Sequence, residues 1–272
     1  MASTPPPNGV SWDSGEGVTT EYWRQFWTCC RCGAPNTFDH AEHEASWVPE
    51  PHCRERCFCE TCGCTWRDRA VLFGVLHGLE SVGGPVRSRE RDSSVRGLGI
   101  SDSSSVSSAL SGAFDYVNTE FRRFPKFDVH DVPDDMNGQY NFVTCSDVFE
   151  HVLPPVEHGL SGVRQLLALR GFAVISVPVD YQSFVDHYPG IVEWSPTPRG
   201  ITWRDRRGTE HEDPHPTFHG GSGETLEMRQ WTAASFESEL STAGFSRIER
   251  LPPLPTLGIP PIPDMGCWLA YR

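Results

Sequence analysis

The stretch YNFVTCSDVFEHV, residues 140–152, and the stretch RGFAVISVP, residues 170–178, decide the reading of this chain. Each contains a run of β-branched and aromatic residues of strand length, too short for a helix. Asn137-Gly138 supplies the turn into the first run and Arg170-Gly171 the turn into the second, which Pro178 closes. Between the runs, residues 158–169 carry apolar side chains at helical spacing. Strand, helix and strand in that order form a βαβ unit, the building block of a parallel sheet.

The alternation continues on both sides. Residues 67–79 have the spacing of a helix, 96–100 of a strand, 103–110 of a short helix, and 114–118 and 127–129 of two further strands. Beyond the central unit, 233–243 is a helix stopped at Gly244, and 246–251 and 266–271 are strands. This pattern predicts an α/β fold, a Rossmann-like, mostly parallel sheet with helices on both faces. Ligands of such sheets bind beyond the carboxyl ends of the strands, which directs attention to the polar residues that follow each one.

A second unit precedes this one. Eight of the ten cysteines fall between Cys29 and Cys64, and the pattern CxxCG occurs twice, at Cys29-Cys30-Arg31-Cys32-Gly33 and at Cys59-Glu60-Thr61-Cys62-Gly63. Such a turn aims two thiolates at one ion, and the glycine accepts the left-handed backbone that frees amides to bond the sulfurs. Cys29, Cys32, Cys59 and Cys62 are therefore the expected ligands of a structural Zn2+; an iron–sulfur cluster takes the same donors. Cys30, Cys53, Cys57 and Cys64 are left over, either as free thiols or as a second metal site with His40, His43 or His52. His40-Ala41-Glu42 with Cys59 and Cys62 also matches part of a zinc deaminase signature. Phe58 stands where that signature has proline, however, and the first knuckle would be left without a purpose. The expected organisation is a disordered leader at 1–20, a cysteine-rich zinc module at 21–66 and a catalytic domain at 67–272.

The central stretches resemble the motifs of class I S-adenosylmethionine-dependent methyltransferases of the UbiE-like group, in which they form the fourth strand, its catalytic loop, a helix and the fifth strand. Residues 231–245, an acidic helix ending in Ala243-Gly244-Phe245, resemble the last helix and turn of that family. The resemblance implies S-adenosylmethionine as cofactor. It implies that Glu120 holds the ribose hydroxyls, that Asp131, followed by Val132, accepts from the adenine amino group, and that Ser146 and Asp147 lie beside the methionine portion. It places His151 near the methyl donor as a proton acceptor. The glycine-rich loop of the family has one counterpart here, Gly97-Leu98-Gly99-Ile100-Ser101-Asp102, which departs from the usual pattern.

Residues 180–230 are long for a connection, which points to a lid-like insertion offering His219, Glu227 and Arg229 to a pocket; a surface loop with a turn is the plainer alternative. The aromatic residues Tyr181, Phe184, Tyr188, Trp194 and Trp203 suit a sugar or phenolic acceptor. His151, Asp147 and His219 are the candidate catalytic residues.

The formal net charge of -13 disfavours a nucleic-acid backbone or an anionic membrane as partner and favours a small-molecule substrate. No apolar run has the length of a membrane span, and residues 1–17 lack the pattern of a signal peptide, so a cytoplasmic protein is expected. The activity the resemblance implies is methylation of a hydroxyl on a sugar or natural product, with a nitrogen or carbon acceptor as the alternative. The rival is an inactive methyltransferase-like domain whose zinc module mediates protein interaction.

Overall fold

The computed structural model describes residues 24–39, 58–81, 83–219, 225–252, 254–259 and 265–272. The leader, His40, His43, His52, Cys53 and Cys57 lie outside them. The N-terminal hairpin pairs β1 (Arg24–Thr28) with β2 (Pro35–Asp39), and the first knuckle forms its turn. The second knuckle runs directly into α1 (Trp66–Gly78), which starts on a capping box between Thr65 and Asp68.

The central sheet contains β3 (Asp92–Ile100), β4 (Phe114–Thr119), β5 (Tyr140–Ser146), β6 (Leu167–Pro178), β14 (Arg247–Arg250) and β15 (Met265–Tyr271), in the order β14-β15-β6-β5-β3-β4. The pairs β3–β4, β3–β5 and β5–β6 are parallel. Strand β15 runs antiparallel to both of its neighbours. The α/β expectation, a largely parallel sheet with helices on both faces, holds.

Strand periodicity explains how the two faces are covered. Val143, Cys145, Ala173, Ile175, Trp268 and Ala270 point toward α3 (Val156–Leu166) and α4 (Ala233–Thr242). Phe142, Phe172, Val174, Cys267 and Leu269, their alternating neighbours, point toward α1 and α2 (Ser104–Ala113). Both faces are buried, as expected of strands that read as continuous apolar runs.

Two expectations need correction. Residues 127–129 are not a strand. Phe127 and Val129 are buried, but they pack with α3, whose Gly159 and Gly162 leave room for Val129. Strand β4 is consequently an edge of the sheet. Residues 180–230 are largely strand rather than loop. They form the β7 (Asp180–Asp186) and β13 (Arg229–Thr232) ribbon, the meander of β8 (Ile191–Thr197), β9 (Gly200–Asp205) and β10 (Glu210–Asp213), and the short pair β11 (Phe218–His219) and β12 (Thr225–Leu226). Several of its aromatic rings hold this unit together: Trp203 stacks on His211 and meets Tyr188 edge-on, and Trp194 packs on Phe218.

The knuckles are tied into the main domain. Arg69 of α1 is wholly buried, donates to the carbonyls of Cys64 and Gly258, and lies over the Trp27 ring at 4.1 Å. Arg31 of the first knuckle donates to Ser105 and Ser108 of α2. No helix of the described residues is long and apolar enough to cross a membrane.

Candidate functional site

The two knuckles have the same backbone. Gly33 and Gly63 donate to the carbonyls of Cys29 and Cys59 and take φ of 79° and 68°, the left-handed conformation that glycine permits. Cys29, Cys32, Cys59 and Cys62 bring their sulfurs within 4.8 Å of one another. The cross-knuckle pairs Cys29–Cys62 and Cys32–Cys59 are 3.8 and 3.7 Å apart. A tetrahedron with zinc–sulfur bonds of about 2.3 Å has edges of about 3.8 Å, so the donor set fits the ion. Burial raises the Cys59 thiol, yet the amides of Cys62 and Thr61 and the Asn36 side chain bring it down to about 7. The neighbouring Cys64 and burial push Cys29 up. Of the spare cysteines, Cys64 sits 3.5 Å from Cys29, and Cys30 donates to the Arg69 carbonyl from within the core.

The carboxyl ends of β3, β4, β5 and β6 carry most of the remaining candidates. Ser146 ends β5 and shares a hydrogen bond with Ser176 of β6 at 2.8 Å. Asp147 follows in a left-handed conformation, φ 54°, and pairs with Arg67 of α1 at 2.9 Å. Glu120 lies at the end of β4, partly exposed, 3.9 Å from the Arg123 guanidinium. Asp131 is exposed, its amide bonded to the Asp128 carbonyl, and Val132 packs against the core.

The glycine expectation is corrected by where these residues fall. Gly97 and Gly99 lie inside β3, not beyond it. A side chain at Gly97 would enter the Phe142 ring, and one at Gly99 would meet the Tyr116 hydroxyl and Asn118, so their space is taken by the protein's own side chains. The turn after β3 is made by Ser101, φ 59°, and Asp102. Asp102 is buried, accepts from Tyr116 at 2.5 Å and from Thr144, and has its other oxygen, Oδ1, without a partner. Burial pushes this carboxyl up to about 6 against those hydrogen bonds. The sequence signal for it is its place just after a strand.

The histidines are brought together from distant parts of the chain. His151 and His219 meet edge to face with ring centroids 4.9 Å apart. Nδ1 of His151 bonds the Leu226 carbonyl at 2.9 Å; a carbonyl only accepts, so Nδ1 carries the proton and Nε2 the lone pair. Burial holds His151 below its ordinary value and keeps the ring neutral. His219 lies 2.7 Å from Glu227, a buried carboxylate that Gln230 also bonds and His187 approaches at 3.7 Å. Burial raises Glu227, but the hydrogen bonds from His219 and Gln230 outweigh it and hold the group below its usual range. Glu150, wholly buried, places Oε1 3.8 Å from Nε2 of His151. Arg229, also buried, donates to the carbonyl of Val152 at 2.6 Å. A cavity of about 320 Å3 lies between Arg122, Leu153 and the β8 residues Val192, Glu193, Trp194 and Pro196, and none of the candidate catalytic or cofactor-binding residues lines it.

No family model and no curated protein matches the chain. Solved structures with a similar course of chain include the CMeT domain of the citrinin polyketide synthase, at 11% identity and a TM-score of 0.44 over 77% of this chain and 52% of that one. This chain thus spans about half the length of that structure. The Burkholderia thailandensis 1,6-didemethyltoxoflavin-N1-methyltransferase, solved with 1,6-didemethyltoxoflavin and S-adenosylhomocysteine, aligns at 12% identity and 0.42 over 94% of this chain and 97% of that one. An amino pentose methyltransferase from Micromonospora echinaspora, solved with S-adenosylmethionine, aligns at 15% and 0.43 over 77% and 92%.

Proposed function

We propose that the protein is an S-adenosylmethionine-dependent methyltransferase acting on a hydroxyl of a small molecule, with a structural Zn2+ held by Cys29, Cys32, Cys59 and Cys62. The supporting observation is the placement of Asp102, Glu120 and Asp147 directly after the parallel strands β3, β4 and β5, with His151 in the turn that follows, at the edge where ligands of such sheets bind. The cofactor, when bound, supplies a methyl group on a reactive sulfonium. Glu120 offers its carboxylate to the two ribose hydroxyls and Asp131 to the adenine amino group. The unpartnered Oδ1 of Asp102 suits the ammonium of the methionine portion. His151 holds its Nε2 lone pair ready for the proton of the acceptor hydroxyl, with His219 packed against it. Asp147 and Arg67 keep the tip of β5 in place.

Calorimetric titration with S-adenosylmethionine tests this reading. Micromolar binding is expected, weakened about tenfold or more by Glu120→Ala or Asp131→Ala, since each removes a charge-assisted hydrogen bond. A folded protein that binds no cofactor would leave the rival, an inactive domain whose knuckles serve an interaction. The filled space at Gly97 and Gly99 is the observation that favours that rival.

A further inference from the structure

We propose that Glu150, His151 and His219 form a divalent-cation site distinct from the cysteine knuckles. One ring nitrogen of each histidine and a carboxylate oxygen of Glu150 lie within 4.8 Å of one another. Two imidazoles and a carboxylate are borderline donors that suit zinc and its neighbours among the transition metals. Three protein ligands leave a coordination position open, the arrangement of reactive rather than structural sites.

The orientation of the rings is an independent observation. A histidine that ligates a metal almost always donates its other N–H to a carbonyl or a carboxylate, which fixes the tautomer and aims the lone pair. His151 has this arrangement: Nδ1 is committed to the Leu226 carbonyl, leaving Nε2. His219 has it too: Nε2 is committed to Glu227 at 2.7 Å, leaving Nδ1. Glu227 is itself held by Gln230 and flanked by His187, so the carboxylate that orients His219 is oriented in turn. The backbone adds a clamp, because the Met228 amide bonds the Glu150 carbonyl and joins the β12–β13 segment to the turn after β5.

The site stands on these residues whether or not methyl transfer is the activity. Its use rests on the methyltransferase reading: a cation at Nε2 takes the lone pair otherwise offered to a proton, and presents its open position to the acceptor oxygen. The enzyme would then have a cation-loaded state in which the acceptor is held by the metal rather than by the imidazole.

The test is calorimetric titration of the full chain, carrying its knuckle zinc, with Zn2+. One further equivalent is expected. His219→Ala should abolish it, and Glu227→Gln, which keeps the shape but weakens the orienting acceptor, should weaken it about 10- to 100-fold. The knuckle zinc, counted in the same samples by metal analysis, reports whether each variant is folded. S-adenosylmethionine affinity, measured separately, reports on the methyltransferase reading, so failure of one is not failure of the other. Uptake of no second equivalent by the wild type, or undiminished uptake by a folded His219→Ala or Glu227→Gln variant, overturns the proposal.

Discussion

Asp102 shows how one buried carboxyl links stability to the proposed site. Its pKa in the fold, about 6, lies above the ordinary 3.8, so the folded protein binds this proton more tightly than the unfolded chain does. The contribution from the protonated acid is full below pH 4 and is lost as pH rises through about 6. At neutral pH the loss is on the order of 3 kcal/mol. Asp102→Asn should therefore melt higher than wild type at pH 7.5, with the two curves converging near pH 4 in a thermal-melt series. The same variant should bind S-adenosylmethionine more weakly, because the acceptor proposed for its ammonium has gone. His151 carries the second residue-scale prediction. Its pKa is lowered, so the base form persists into more acidic solution, and with His151 as the proposed base, methyl transfer should rise with pH through a midpoint below 6.5 and then level off. His151→Asn should cut the rate by about 10²- to 10⁴-fold in a pH–rate profile and remove that inflection.

Among the elements, β3 and α1 carry the clearest consequences. Strand β3 is interrupted by two glycines because Phe142 and Tyr116 of its neighbouring strands lean over it. Gly99→Ala should destabilise the fold by about 1–3 kcal/mol in urea unfolding, as overpacking does, and Tyr116→Phe in the same chain should restore part of that loss. Helix α1 delivers Arg67 to Asp147 at the tip of β5, and Asp68 to the hydroxyl of Ser103, which caps α2. The Arg67–Asp147 pair is largely shielded from solvent, so Arg67→Met should cost about 2 kcal/mol, with a double-mutant cycle against Asp147→Asn recovering the coupling. The strand within residues 140–152 was legible, because a run rich in β-branched and aromatic residues of that length has few alternatives. Residues 127–129 have strand-like sequence but are not a strand, because a short apolar segment looks the same under a helix as beside another strand.

For the molecule as a whole, the cysteine knuckles are bonded directly to the helices that cover the sheet. The second knuckle continues into α1 without a linker, the first grips α2 through Arg31, and both helices cover the face of the sheet that leads to Asp102 and Asp147. If the proposed Zn2+ occupies the knuckles, stripping it with a chelator should therefore lower the melting temperature and also weaken S-adenosylmethionine binding, although no knuckle residue is a proposed cofactor ligand. A chelated protein that binds the cofactor as tightly as before would show the two units to be independent.

Local pattern alone determined the alternation of strands and helices, the covering of both sheet faces and the two knuckles, since each depends on spacing within a few residues. Tertiary structure decided what spacing cannot carry. It set His151 against His219 across the β-rich insertion, paired Arg67 with Asp147, and filled the space beside Gly97 and Gly99 with rings from neighbouring strands. Such contacts join residues far apart in the chain, and their geometry is fixed by packing in the folded core rather than by the order of the amino acids.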